Sequence, residues 1–112
     1  MPPPKPVIWV GSTLDDLRAL PVPIRRRFGH AIFVVQQGSS PPSSKPPTGI
    51  HGVLEVSASF AGDAYRLVVA PHAPDAVYVL HVFQKRSHRG ISTPMRDIAV
   101  IRSRLRRIGG RR

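Results

Sequence analysis

The 112-residue sequence contains no cysteine, and its apolar stretches are short. The absence of cysteine excludes disulfides, thiolate metal ligands and a cysteine nucleophile. The apolar stretches are too short to span a bilayer, and the N-terminal MPPPKP lacks the apolar core of a secretory signal. We therefore expect a cytoplasmic protein that does not enter a membrane.

Negative charge is also scarce. The chain has 6 Asp and Glu against 17 Lys and Arg, a net charge of +11, and its isoelectric point is about 11.8. This excess makes a polyanion the leading class of partner. Most of the cations are arginines, whose planar guanidinium suits phosphate oxygens and base edges better than an ammonium does. The alternative is a solvated surface that happens to be basic.

Several signatures of catalytic sites are missing. The sequence has no phosphate-binding glycine loop, no nucleophile elbow and no zinc-finger spacing. The histidines lack the close helical pairing or acidic companions of a zinc site; they are His30, His51, His72, His81 and His88. We expect no metal ion and no small-molecule cofactor.

The hydrophobic pattern predicts a single domain over residues 1–112, with a disordered proline-rich tail at 1–6 and a Pro/Ser-rich loop at 39–49. Prolines and the lack of apolar residues argue against both helix and strand in that loop. Elsewhere, strands are predicted at 7–10, 53–58, 64–70 and 76–83, and helices at 13–20, 24–35 and 93–108. These elements predict an α+β fold: a small, mainly antiparallel sheet with helices on one face, in the order β-α-α-β-β-β-α. The other face of the sheet would be open.

Two basic segments belong to the predicted helices. Arg25, Arg26 and Arg27 lie opposite or beside the apolar face of the second helix, where a solvated surface and a nucleic-acid contact are both open interpretations. The closing helix begins at Thr93-Pro94 and carries Arg96 and further arginines away from its apolar stripe. We expect the apolar side of that helix to pack against the rest of the protein and its cationic side to face outward.

Candidate functional residues cluster on and after the last two strands. Arg66 is the sole charged residue inside its strand, and it could either face a polyanion or form a cross-strand ion pair with Glu55. Lys85, Arg86, His88 and Arg89 follow the next strand, either as a phosphate-binding rim or as a solvated connector. His81 lies between apolar residues, which favours a hydrogen-bonded, partly buried imidazole over a catalytic one.

Four segments together resemble the RelE/ParE superfamily of toxins, in its HigB-like, phage-derived branch. They are VIWVGSTLDDLRALP (7–21), GDAYRLVVA (62–70), VYVLHVFQKRSHRGISTP (77–94) and DIAVIRSRL (97–105). The resemblance implies the toxin of a type II toxin–antitoxin system, an endoribonuclease that cuts translated mRNA at the ribosome without metal and so inhibits translation. It also implies a helix-turn-helix antitoxin as the partner.

The resemblance assigns roles to individual residues. It implies that Arg66, Lys85 and Arg86 are catalytic, with Arg66 on the scissile phosphate and Arg86 where a second lysine is usual. His81 matches a strand histidine of the family, and with His88, Arg89 and Arg96 it is expected to bind RNA. Two positions depart from the pattern: Ser57 stands where a basic residue is usual, and Val69 stands where a tyrosine is frequent.

Two other functions fit the same residues. A toxin of this fold could inhibit DNA gyrase without cleaving nucleic acid, and sequence does not separate the two activities cleanly. A non-enzymatic basic protein that binds nucleic acid would need nothing beyond the charge.

Overall fold

The computed structural model describes residues 3–47, 49–85 and 93–109. Within these residues, eight elements follow one another along the chain: β1 Val7–Trp9, α1 Thr13–Arg18, α2 Val22–Gln36, β2 Ser44–Lys45, β3 Leu54–Phe60, β4 Asp63–Ala70, β5 Val77–Lys85 and α3 Met95–Gly109. The strands form one sheet in the order β1-β5-β4-β3-β2. The predicted α+β class is confirmed, as is the order of the helices and longer strands.

The sheet is mixed, with a largely antiparallel character. Strands β2 to β5 pair antiparallel with their neighbours, whereas β1 runs parallel to β5, with Val7 opposite Val77. A parallel pair requires a long connection, and the chain between β1 and β5 supplies one that contains two helices and three strands. The hairpin between β3 and β4 turns through Ala61 and Gly62, both at positive φ, as a two-residue turn of this twist requires.

The prediction of an unstructured loop at 39–49 is wrong at Ser44 and Lys45. These residues form β2, which pairs with Val56 and Glu55 at the edge of the sheet. An edge strand needs ladder hydrogen bonds on one side, so a two-residue strand can lie between proline pairs that would interrupt a central strand. The prolines limit the length of this strand without preventing it.

The disordered tail predicted at 1–6 stays a prediction, but Lys5 in that segment has tertiary hydrogen bonds. The Nζ of Lys5 donates to the carbonyls of Pro71 at 3.3 Å and Ala73 at 3.0 Å. The side-chain amide of Gln36 donates to the carbonyl of Lys5 at 2.6 Å. Proline prevents helix formation here but still allows an extended segment whose polar groups find tertiary partners.

The helices lie on both faces of the sheet, which differs from the prediction that one face is open. Helices α1 and α2 pack through residues such as Leu17, Ile24 and Phe28 against one side of β3, β4 and β5. Helix α3 packs through Ile101 against the opposite side, where it meets Val68 and Leu80. Central strands β4 and β5 are apolar on both faces and therefore need cover on both. None of the helices that the structure describes combines the length and the apolar composition that a membrane span requires.

Candidate functional site

The strand register brings Arg66 and Lys85 to the same face of the sheet, the face on which α3 packs. Arg66 on β4 is opposite Phe83 on β5, and Lys85 lies two residues beyond Phe83, opposite Ala64. Residues two apart on a strand share a face, so Arg66 and Lys85 are diagonal neighbours. The two candidate residues predicted from the sequence are therefore brought together.

A β-bulge in β5 makes this juxtaposition possible. Val68 pairs with His81 and Val69 pairs with Val79, which leaves Leu80 as the extra residue. Before the bulge, even-numbered residues of β5 such as Tyr78 face α3; after it, odd-numbered ones such as Phe83 do. Without the extra residue, Lys85 would lie on the α2 face, away from Arg66.

Glu55 on β3 holds the guanidinium of Arg66. Its Oε1 lies 3.3 Å from the Arg66 Nε, and its side chain is 2% exposed against 13% for Arg66. The Arg66 Nη1 also donates to the carbonyl of Tyr65 at 3.0 Å. The cross-strand ion pair considered from the sequence is thus confirmed, and the guanidinium still reaches solvent. Arg66 is oriented by two acceptors before any ligand arrives.

Thr93 ties this cluster to the beginning of α3. Its hydroxyl donates to the Glu55 Oε2 at 2.7 Å, so both carboxylate oxygens of Glu55 accept a hydrogen bond or a charge contact. Helix α3 begins two residues later, at Met95. The contact fixes the start of the helix beside the cationic pair.

Lys85 is an unusual lysine because it is buried, with 9% of its surface exposed. Burial lowers its pKa below the ordinary value of 10.5, and the nearby positive charge of Arg66 lowers it further; Glu55 opposes these effects. The ammonium is therefore a stronger acid than that of a surface lysine. A group of this kind can transfer a proton at a reaction centre.

Lys45 is a further cation at the edge of the site. It lies directly opposite Glu55 in the β2–β3 pair and is exposed to solvent. Its charge also lowers the pKa of Lys85. Lys45 thus adds positive charge at the edge of the sheet beside Glu55.

His81 lies on the same face of β5, beneath α3. Its Nε2 is 2.8 Å from the Asp97 Oδ1, and its ring stacks on Phe83 with centroids 4.6 Å apart. Burial lowers the pKa of His81 below 6.5, while its hydrogen bond to Asp97 raises it. The prediction of a hydrogen-bonded, partly buried imidazole is confirmed, whereas a role for His81 in RNA binding stays a prediction.

The other predicted site residues fall into two groups. Arg96 is exposed in the first turn of α3. Arg86, His88 and Arg89 lie outside the described residues. Of the two departures from the toxin pattern, Ser57 is the partner of Arg66 in the sheet, and Val69 packs in the α2 cluster on the opposite face.

Sequence reasoning missed two contributors to the site, Thr93 and Lys45. From the sequence, Glu55 is considered solely as an ion-pair partner that would explain Arg66 without a ligand. In the structure, Glu55 is the acceptor that orients the arginine. One signal was available: Glu55 is the sole acidic residue in β3, on the polar side of an alternating strand. Lys45 could not be found because its strand was not predicted.

The fold and this cluster define a small, basic α+β protein whose concentrated cations suit a polyanionic partner. The family model described as "Phage derived protein Gp49-like (DUF891)" matches residues 15–106. The chain therefore belongs to this family, which is associated with toxin–antitoxin systems. The match includes Glu55, Arg66 and Lys85. Searches of the curated proteins and of the solved structures found no match to the chain.

Proposed function

We propose that this chain is the toxin of a type II toxin–antitoxin system and that it cleaves mRNA at the ribosome without a metal ion. The family membership supports the toxin and its antitoxin partner. The nuclease activity rests on one observation, the convergence of Arg66 and Lys85 on one sheet face beside buried Glu55. The proposal also includes a helix-turn-helix antitoxin and a cytoplasmic location, where translating ribosomes are found.

The proposed reaction is an internal transesterification. The ribose 2′-hydroxyl gives its proton to a general base and attacks the adjacent phosphorus. The bond from phosphorus to the 5′ oxygen breaks, and that oxygen takes up a proton from a general acid. The products carry a 2′,3′-cyclic phosphate and a 5′-hydroxyl, so no water or oxidant is consumed. Such a reaction needs charge stabilisation on the phosphate and a proton donor for the leaving oxygen.

Arg66 would supply the charge stabilisation. Its contacts use Nε and Nη1, and no residue that the structure describes accepts a hydrogen bond from its Nη2. Because Glu55 fixes the guanidinium, little reorganisation is needed as charge develops on the phosphate oxygens. Arg86 is proposed to add a second guanidinium from the segment that follows β5.

Lys85 would donate the proton to the leaving 5′ oxygen. Its lowered pKa makes the ammonium a better acid near neutral pH than an ordinary lysine. The residual positive charge of the site also favours binding of the RNA backbone, with His81, His88, Arg89 and Arg96 proposed as further RNA contacts.

The proposal is tested with purified protein, ribosomes and an end-labelled message in a reconstituted translation reaction. We expect cleavage when the message is on the ribosome, and none of the bare message under the same conditions. A single 2′-deoxy substitution at the cut position should abolish cleavage there, since the nucleophile is missing. Cleavage that survives this substitution would contradict the proposed chemistry.

The gyrase alternative is tested in parallel with a DNA supercoiling reaction. Inhibition of supercoiling by the protein, together with an intact message on the ribosome, would replace the nuclease proposal. If the protein neither cleaves the message nor inhibits supercoiling, a non-enzymatic nucleic-acid-binding protein is the better account.

A further inference from the structure

A second concentration of cations lies on the flank of α2, on the far side of the sheet from Arg66. The exposed side chains of Arg26, Arg27 and His30 line an open groove of about 440 Å³ between α2, residues 41–43 and β3. Among the residues that the structure describes, none that lines this groove is acidic. We call it the α2 groove.

The arginines of the α2 groove do not serve to stabilise α2. Helix α2 contains no acidic residue, and Arg25, Arg26 and Arg27 lie in its first two turns. Positive side chains near the beginning of a helix are disfavoured by its dipole, which makes that end positive. Two of these arginines, Arg26 and Arg27, line the groove, and an arrangement that opposes the dipole in this way is better suited to an external anion.

The α2 groove comes nearest to the candidate site at Ser57 on β3. Ser57 lines the groove and is also the strand partner of Arg66. Residues 43–45 cover the edge of β3 as far as Ser57, whose N–H donates to the carbonyl of Ser43 at 3.1 Å. Farther along β3, Arg27 donates to the carbonyl of Ser59 at 3.3 Å. A chain that crosses this edge would therefore pass from one set of cations to the other.

We propose that the α2 groove binds the sugar–phosphate backbone of the RNA strand whose scissile phosphate is held at Arg66 and Lys85. This inference rests on the proposed function and adds to it a second contact region for the same strand. Proteins that hold single strands use a cationic groove that follows the backbone, with contacts spread over several nucleotides. An acidic protein segment offers similar charges, but an RNA strand anchored at Arg66 already brings its neighbouring phosphates to this edge.

The test compares the double variant R26A/R27A with the control R106A/R107A, which removes two exposed arginines from the end of α3. Binding of uncleavable 2′-O-methyl RNAs of about 4 and about 12 nucleotides is followed by fluorescence anisotropy over a range of salt concentrations. For the longer RNA, R26A/R27A should bind about tenfold more weakly at physiological salt, with a salt slope smaller by about 1.4, as expected for two lost phosphate contacts on a single strand. The shorter RNA should bind almost equally to wild type and R26A/R27A.

If both double variants bind the longer RNA equally more weakly than wild type does, the binding reflects general charge attraction, and the inference is overturned. An acidic peptide of matched charge is measured as well. Loss of peptide binding in R26A/R27A, with RNA binding unchanged, would assign the groove to a protein partner and also overturn it. Cleavage by the wild type reports on the proposed function separately: normal cleavage with unaltered RNA affinity in R26A/R27A removes this inference alone. The absence of wild-type cleavage removes the nuclease proposal.

Discussion

The guanidinium of Arg66 and the carboxylate of Glu55 form a diagonal ion pair across β4 and β3, with 3.3 Å between Nε and Oε1. The Glu55 side chain is nearly inaccessible, and its second oxygen accepts the hydroxyl of Thr93. One carboxylate therefore connects the arginine expected to bind phosphate with the beginning of α3. Changes at Glu55 should affect both stability and the geometry of the site.

Replacing Glu55 with glutamine should destabilise the protein. The substitution keeps the shape and one acceptor oxygen, but it removes the charge that balances the mostly buried Arg66, and the free energy of unfolding should fall by about 1–3 kcal/mol. Urea denaturation measures the change. Adding Arg66→Met should recover part of the loss, because no unpaired buried charge is left. Equal midpoints for wild type and E55Q would contradict this account.

Substitution of Lys85 by arginine should separate binding from proton transfer. Arginine keeps the positive charge but does not lose its proton in proteins, so it cannot act as a general acid. We expect K85R to bind RNA within a fewfold of wild type and to cleave about 10²–10⁴-fold more slowly in single turnover. Lys85→Ala should lose both binding and rate. A K85R rate close to that of wild type would exclude Lys85 as the proton donor.

Individual elements of the fold could be predicted where the residue pattern is compatible with one type of secondary structure. Alternation of apolar and polar residues identified β3, and Thr93-Pro94 followed by an apolar stripe identified α3. The position of α3 could not be predicted, because the nearly continuous apolar run of β5 does not say which helix covers which face. Strand β2 was missed because its pairing depends on a tertiary neighbour and not on its own composition.

The candidate site was predictable in residue type and less so in geometry. The sequence pattern indicated Arg66, and the family resemblance added Lys85 and Arg86. A strict alternation along β5 would have placed Lys85 on the wrong face. The bulge at Leu80 corrects this, and no local residue pattern marks it in advance. The Glu55–Thr93 contact joins residues 38 positions apart and follows from the packing of α3.

His81 should make the protein sensitive to acid. Burial lowers its folded pKa below the ordinary value of 6.5, so the unfolded chain binds the proton more readily. Its contribution to stability is present above pH 6.5 and is lost as the pH falls through the lower folded pKa. Between pH 7.5 and pH 5, the urea midpoint should decrease more for wild type than for H81Q. The glutamine amide can still donate to Asp97 but does not titrate. Parallel falls in the two proteins would assign the sensitivity to other groups.

Gly11 leaves space for the arginine that holds α3 to the sheet. Arg104 donates to the carbonyl of Leu80 at 2.8 Å, and a Cβ on Gly11 would lie 2.8 Å from its Nη2. Gly11→Ala should therefore cost both the left-handed backbone strain of about 1–2 kcal/mol and part of the Arg104 contact. Gly52→Ala is the matched control, because Gly52 also has positive φ, but a Cβ there would meet no described atom within 4 Å.

Thermal or urea unfolding of the two glycine variants measures the difference. G11A should be less stable than G52A, and the difference should disappear when both are combined with Arg104→Ala. A difference that persists without Arg104 would show that the two backbones differ for another reason.

The most direct test of the cationic site is single-turnover cleavage of a ribosome-bound message by wild type, R66A, K85A and R106A. Arg106 is an exposed arginine near the end of α3, so R106A controls for the loss of one positive charge. Each protein is first shown to be folded by its urea midpoint. We predict that R66A and K85A cleave at least about 10²-fold more slowly than wild type, while R106A cleaves within a fewfold of it. Wild-type rates in both R66A and K85A would contradict the assignment of this site.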